Sequence, residues 1–157
     1  MSPAFAGLLL ALHALASTIW VGGMFFAYMA LRPVAASVLD PPQRLPLWAG
    51  TLAHFFAWVG GSVIVLLATG FALIFGYYGS MAAVGGHVHT MLALGLIMMA
   101  LFLYVYFLPY RSLNRAVDAA DWPEGARQLA RIRRMVAINL ILGLLTVCIG
   151  AGGRWFW

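Results

Sequence analysis

Four histidines (His13, His54, His87 and His89) and eight methionines are the metal-capable side chains of a chain otherwise poor in polar chemistry. Neutral imidazole is a ligand for many transition metals, and thioether sulfur adds a soft donor suited to reduced copper. Cys148 is the single cysteine. That excludes an internal disulfide and a cysteine-cluster zinc site, and free cysteine ordinarily serves as a small hydrophobe. No nucleotide motif or catalytic triad is present, so any enzymatic chemistry would be that of a bound cofactor.

The elements that must carry these residues follow from composition. Of the 157 residues, 64% are hydrophobic and 8% charged, a balance that requires lipid as the solvent. A helix rises about 1.5 Å per residue and crosses the hydrocarbon core in roughly 20 apolar residues. Four stretches are long enough: Phe5 to Leu31, Leu47 to Gly76, Ala83 to Pro109 and Ile132 to Gly152. The expected fold is an all-α bundle of four transmembrane helices in one domain spanning 1–157. The first stretch lacks a basic leader and exceeds an ordinary signal-peptide core, so it is expected to be retained. Asp40-Pro41-Pro42 and Trp122-Pro123-Glu124-Gly125 read as turns in the first and third loops.

Arginine sets the expected orientation. Arg32 and Arg44 lie in the first loop, and Arg111, Arg115, Arg127, Arg131, Arg133 and Arg134 lie in or beside the third; the second loop, Tyr77 to Ala82, has none. Basic residues in short loops stay cytoplasmic, which puts both termini outside. The net charge of +5 is therefore a topology signal rather than a nucleic-acid footprint, and Asp118, Asp121 and Glu124 make the third loop a solvated, partly helical extension.

An ionisable residue within a membrane helix is costly and marks a functional candidate. With about 100° per residue, His13, Ser17, Trp20 and Met24 share a stripe, as do His54, Trp58 and Gly61, and His87, Met91 and Met98. His89 points nearly opposite His87. The last helix gathers Asn139, Gly143, Thr146, Gly150 and Gly153 into a small, polar face suited to close approach. Measured from the outer surface, His13 lies at ~12 Å and His87 and His89 at ~6 to 9 Å, whereas His54 is roughly 20 Å away from these three.

Histidines level with each other on different helices could ligate the iron of haem b, as in b-type membrane cytochromes. Gly22, Gly23, Gly150, Gly152 and Gly153 would admit a macrocycle, and Arg154 could pair with its propionates. The same residues allow a copper reading: His13 or His87, Met91, Met98, Met24 and His54 would form a ladder of soft ligands across the bilayer.

These residues carry a resemblance. Leu12-His13 with Trp20 and Gly23 resembles the first helix of the copper-resistance protein D (CopD) group of bacterial inner-membrane proteins. The His87-Val88-His89 run with Met91, and Ile132-Arg133-Arg134 leading to Asn139-Leu140, resemble its small members. That resemblance implies a role in copper handling. The first-helix pattern is also similar to that of HemJ-type protoporphyrinogen oxidases, four-helix haem proteins, which implies His13 as a haem ligand flanked by Trp20 and Gly23. That family carries a lysine early in its third helix, and this chain has no lysine.

Three functions fit these readings. The first is haem-based membrane electron transfer or porphyrin-linked redox chemistry, with quinone or a redox protein as partner; a second stacked haem would lack a histidine pair near His54. The second is copper transport or tolerance, and it requires Met24 and Met98 to face inward. The third is a non-catalytic membrane subunit or assembly factor. Lipid is the obligatory partner, and the glycine faces would also suit a homodimer.

Overall fold

The protein is seen in a computed structural model that describes residues 1–155, apart from the side chain of Arg154. Four long helices account for nearly all of it: α1 (Pro3–Val38), α2 (Pro41–Tyr77), α3 (Gly86–Asp118) and α4 (Trp122–Gly152). Among the described residues there is no strand. Helices satisfy every backbone group within the segment, the condition lipid imposes. Each is long and apolar enough to span a membrane.

The helices outrun the apolar stretches because their polar ends are also good helix formers. Asp40 and Pro41 do not sit in a loop turn: Asp40 is the N-cap and Pro41 the first residue of α2, where a missing N–H costs nothing. Likewise Trp122 to Gly125 is the first turn of α4, not a turn between helices. There the Asp121 carboxylate accepts from the Glu124 N–H at 3.0 Å, and Pro123 occupies the first turn. The expected helical extension of the third loop is thus continuous with α4, and α3 and α4 are joined only by Ala119 to Asp121, with Ala120 at φ 53°. The helix α3 also runs through Pro109, passing it in a wider, π-helical turn at Tyr106–Tyr110; Pro109 has no N–H to give the ladder. A similar turn at Ala27–Leu31 precedes Pro33.

The closest neighbours are α1 with α2 and α3 with α4, and α4 also reaches α1 and α2. Toward the arginine-rich end, Leu45, Trp48, Leu52, Phe56, Val105, Leu113, Leu129 and Ile132 form one buried cluster. Mid-bundle, Trp20, Val21, Met24, Val59, Met98 and Leu140 form a second. Leu10, Phe26, Trp58, Ile64 and Ile141 point outward, as expected where the solvent is hydrocarbon rather than water.

Candidate metal-handling seam

His13 lies on the face of α1 that meets α2. The Thr69 hydroxyl lies 2.6 Å from the Val65 carbonyl and 2.8 Å from His13 Nδ1. In the tautomer in which the hydroxyl donates to Val65, Nδ1 carries the proton and Nε2 keeps its lone pair. A fixed donor bond on one ring nitrogen is how proteins present the other nitrogen to a metal. Gly70 leaves room for the ring: a Cβ there would stand 3.4 Å from His13 Cε1.

His87 occupies a different seam, between α3 and α4. A Cβ on Gly153 would come within 2.5 Å of His87 Cβ, and one on Gly85 within 2.8 Å of the ring. Glycine at both positions allows the imidazole to lie in the seam, where its Nδ1 is buried without a hydrogen-bond partner. One helical turn deeper, Met91 crosses the same seam, its Sδ 3.1 Å from a Cβ placed on Gly150. Deeper still, Met98 Cε would be 3.1 Å from a Cβ on Gly143. The Thr146 hydroxyl donates to the Leu142 carbonyl at 2.8 Å and makes a long contact of 4.0 Å with Met98 Sδ. The α3 stripe His87, Met91, Met98 thus faces the α4 stripe Gly153, Gly150, Thr146, Gly143.

Met98 and Met24 belong to the same central cluster, where both are 2% exposed. Met24 also lines a cavity of about 20 Å³ with Trp20, Met135 and Asn139, flanked by Phe55, Phe56 and Phe102. That is space for one water or one bare ion. Asn139 is 5% exposed and its Oδ1 has no hydrogen-bond partner, although such groups are nearly always satisfied. Trp20 packs edge-on to Phe102 with centroids 6.3 Å apart.

The remaining expected residues are not brought to this seam. His54 is exposed on the outer face of α2, its Nδ1 3.0 Å from the Gly50 carbonyl of its own helix, and Trp58 beside it is 66% exposed. His89 is exposed on α3. Gly23 serves packing: its missing Cβ makes way for the Phe55 ring. The side chain of Arg154 lies outside the described residues. Among the described residues no three His, Cys, Asp or Glu side chains converge, so a metal held inside the bundle would need thioether ligands alongside imidazole.

The haem reading gains no support from this arrangement. His13 and His87 stand level in depth, as counted, but one lies in the α1–α2 seam and the other in the α3–α4 seam. The two cavities described within the bundle measure about 20 and 30 Å³, far below the several hundred Å³ of a cofactor pocket.

Three contributors had not been picked out as site residues from the sequence. Thr69 orients His13, Met135 adds a second thioether to the cavity, and Gly85 opens the seam to His87. Met135 stands four residues before Asn139, a spacing that could have flagged it.

The family model described as Copper resistance protein D, CopD, matches residues 49–152. The chain belongs to the CopD family. The match takes in most of α2, all of the seam residues of α3, and α4 to its end; the first helix, with His13 and Met24, lies outside it. Neither a curated protein nor a solved structure matches the chain. With four spanning helices, this CopD-family protein is a multi-pass inner-membrane protein in contact with lipid along every helix.

Proposed function

We propose that this CopD-family protein binds monovalent copper within the membrane and passes it along the α3–α4 seam. The carrying observation is that Met24 and Met98 both point into the bundle, in line with Met91 and His87. Isolated methionines serve as packing, but here two thioethers and an imidazole on α3 are aligned opposite glycines, with the Met24 thioether of α1 buried in the same cluster as Met98. Soft, neutral donors match Cu(I), whose single charge costs least to desolvate in an apolar interior. The unpartnered Asn139 Oδ1 and the Met24 and Met135 thioethers give the ion a resting place at the central cavity. His13, with Nε2 left free, acts at the mouth of the neighbouring seam. The arginine-rich end is assigned to the cytoplasm by the positive-inside rule, so the histidine end receives copper from outside. The copper-resistance description of the family supports the same reading.

The test is anaerobic Cu(I) titration of detergent-purified protein against a chromophoric chelator, repeated on a Met24→Leu/Met98→Leu variant. Leucine keeps the volume of methionine at a cost usually below about 1.5 kcal/mol, so the fold survives while the sulfurs go. Tight binding by the parent and its loss in the variant is the expected result. Equal binding by both would refute the seam as the copper path. Haem supplied to the same sample gives a control, since a Soret band shifting on reduction would replace the copper reading with a cytochrome.

A further inference from the structure

The arginine-rich end contains a second polar cluster that copper handling does not use. Of the eight arginines with described side chains, Arg111, Arg115, Arg127, Arg131 and Arg134 are exposed, whereas Arg32, Arg44 and Arg133 are half-buried. Arg32 from α1 and Arg133 from α4 line one cavity of about 30 Å³, with Tyr28 and Trp48 in its wall. The Arg32 guanidinium lies over the Tyr28 ring, 4.7 Å from its centroid. Arg44, near the start of α2, donates to the Ala36 carbonyl of α1 at 3.5 Å.

No carboxylate balances them. Among the described residues the only ion pair joins Arg127 to Glu124; Asp121 caps α4, and Asp40 and Asp118 are exposed. Two like charges brought together in a half-dry crevice are unfavourable unless an anion neutralises them. Exposed arginines suffice for the positive-inside signal, so that signal does not explain why Arg32 and Arg133 turn inward between helices.

We propose that Arg32 and Arg133 bind a phosphate group, that of an anionic lipid headgroup. Guanidinium forks hold phosphate oxygens in pairs, and basic crevices between transmembrane helices are where headgroups lodge. The cavity is too small to enclose a headgroup. It admits one phosphate oxygen between Arg32 and Arg133, while the acyl chains stay in the bilayer along α1 and α4. Tyr28 and Trp48 supply an amphipathic wall at the depth where such rings prefer to sit. The lipid would bridge α1, α2 and α4 at the end of the bundle where the fold is already most densely packed.

The experiment uses the full chain, delipidated in neutral detergent, and follows its melting temperature as phosphatidylglycerol, phosphatidylcholine or inorganic phosphate is added. Phosphatidylglycerol is expected to raise the melting temperature and phosphatidylcholine to leave it unchanged. Arg32→Gln and Arg133→Gln should each lose more than half of that rise, and Arg131→Gln and Arg134→Gln should keep it. Should Arg133→Gln fail to fold, Arg133→Lys retains the charge without the fork and should bind phosphatidylglycerol more weakly by phosphorus analysis of the washed protein. An equal rise from millimolar inorganic phosphate would assign the same two residues to free phosphate. Equal losses in the exposed-arginine variants, or an equal response to phosphatidylcholine, would overturn the site.

Discussion

The two ends of this bundle solve different problems with the same solvent around them. At the arginine-rich end, large side chains interlock: Phe56 meets Tyr110 edge to face at 5.0 Å and Phe102 at 5.6 Å, and Leu113 and Leu45 are essentially inaccessible. At the histidine end the seams are made of glycine, threonine, imidazole and thioether, and a buried imidazole nitrogen has no partner. Lipid tails are as apolar as leucine, so helix association rests on packing and interhelical hydrogen bonds. Dense aromatic packing at one end thus holds the helices in place and leaves the other end free to spend its faces on ligands.

That contrast breaks most visibly through Leu113→Ala, which opens a void in the buried cluster at the arginine-rich end, away from the central cavity. It should cost about 3 kcal/mol of stability, read as a lowered midpoint in detergent unfolding, while Cu(I) affinity in the surviving folded fraction stays unchanged. Next in size is the exchange of both inner thioethers, Met24→Leu with Met98→Leu. Copper affinity should fall by about a hundredfold if each lost ligand is worth at least a tenfold factor, with the melting temperature nearly constant. Gly153→Ala probes the seam sterically, since the new Cβ meets His87 at 2.5 Å. It should cost about 1 to 3 kcal/mol and weaken copper binding as well, measured by thermal melting and chelator competition on one sample. Thr69→Val removes the acceptor that orients His13 and should lower affinity by roughly tenfold without moving the midpoint by more than a few degrees. The smallest effect belongs to His54→Ala, on the lipid face, where copper titration should match the parent; a clear loss there would return His54 to the ion's path.

Several features were legible before any coordinates. The stripe His87, Met91, Met98 and the stripe Asn139, Gly143, Thr146, Gly150, Gly153 follow from helical periodicity alone, because both lie on regular helix, and the structure places them face to face. The same reasoning put His54, Trp58 and Gly61 on one stripe, yet that stripe faces outward. Periodicity says which residues share a face and not which face is inside, and in lipid the usual polar-out rule gives no guidance. Counting residues put His13 and His87 at one depth, but depth is a single coordinate. Which seam each enters depends on the rotation of its helix and on its neighbour. Helix ends were misjudged where proline and aspartate read as turn signals, since the same residues also begin helices.

The sequence by itself determined that this chain lives in lipid, that four helices cross it, and which side chains could offer lone pairs, because length, apolarity and residue type are local properties. Only the tertiary structure decided that α3 faces α4 across glycines, that Thr69 meets the ring of His13, that Asn139 and Met135 share a cavity with Met24, and that Arg32 of α1 and Arg133 of α4 converge on one cavity. Each of these depends on side chains far apart in sequence packing against one another, and no periodicity within one helix encodes its partner.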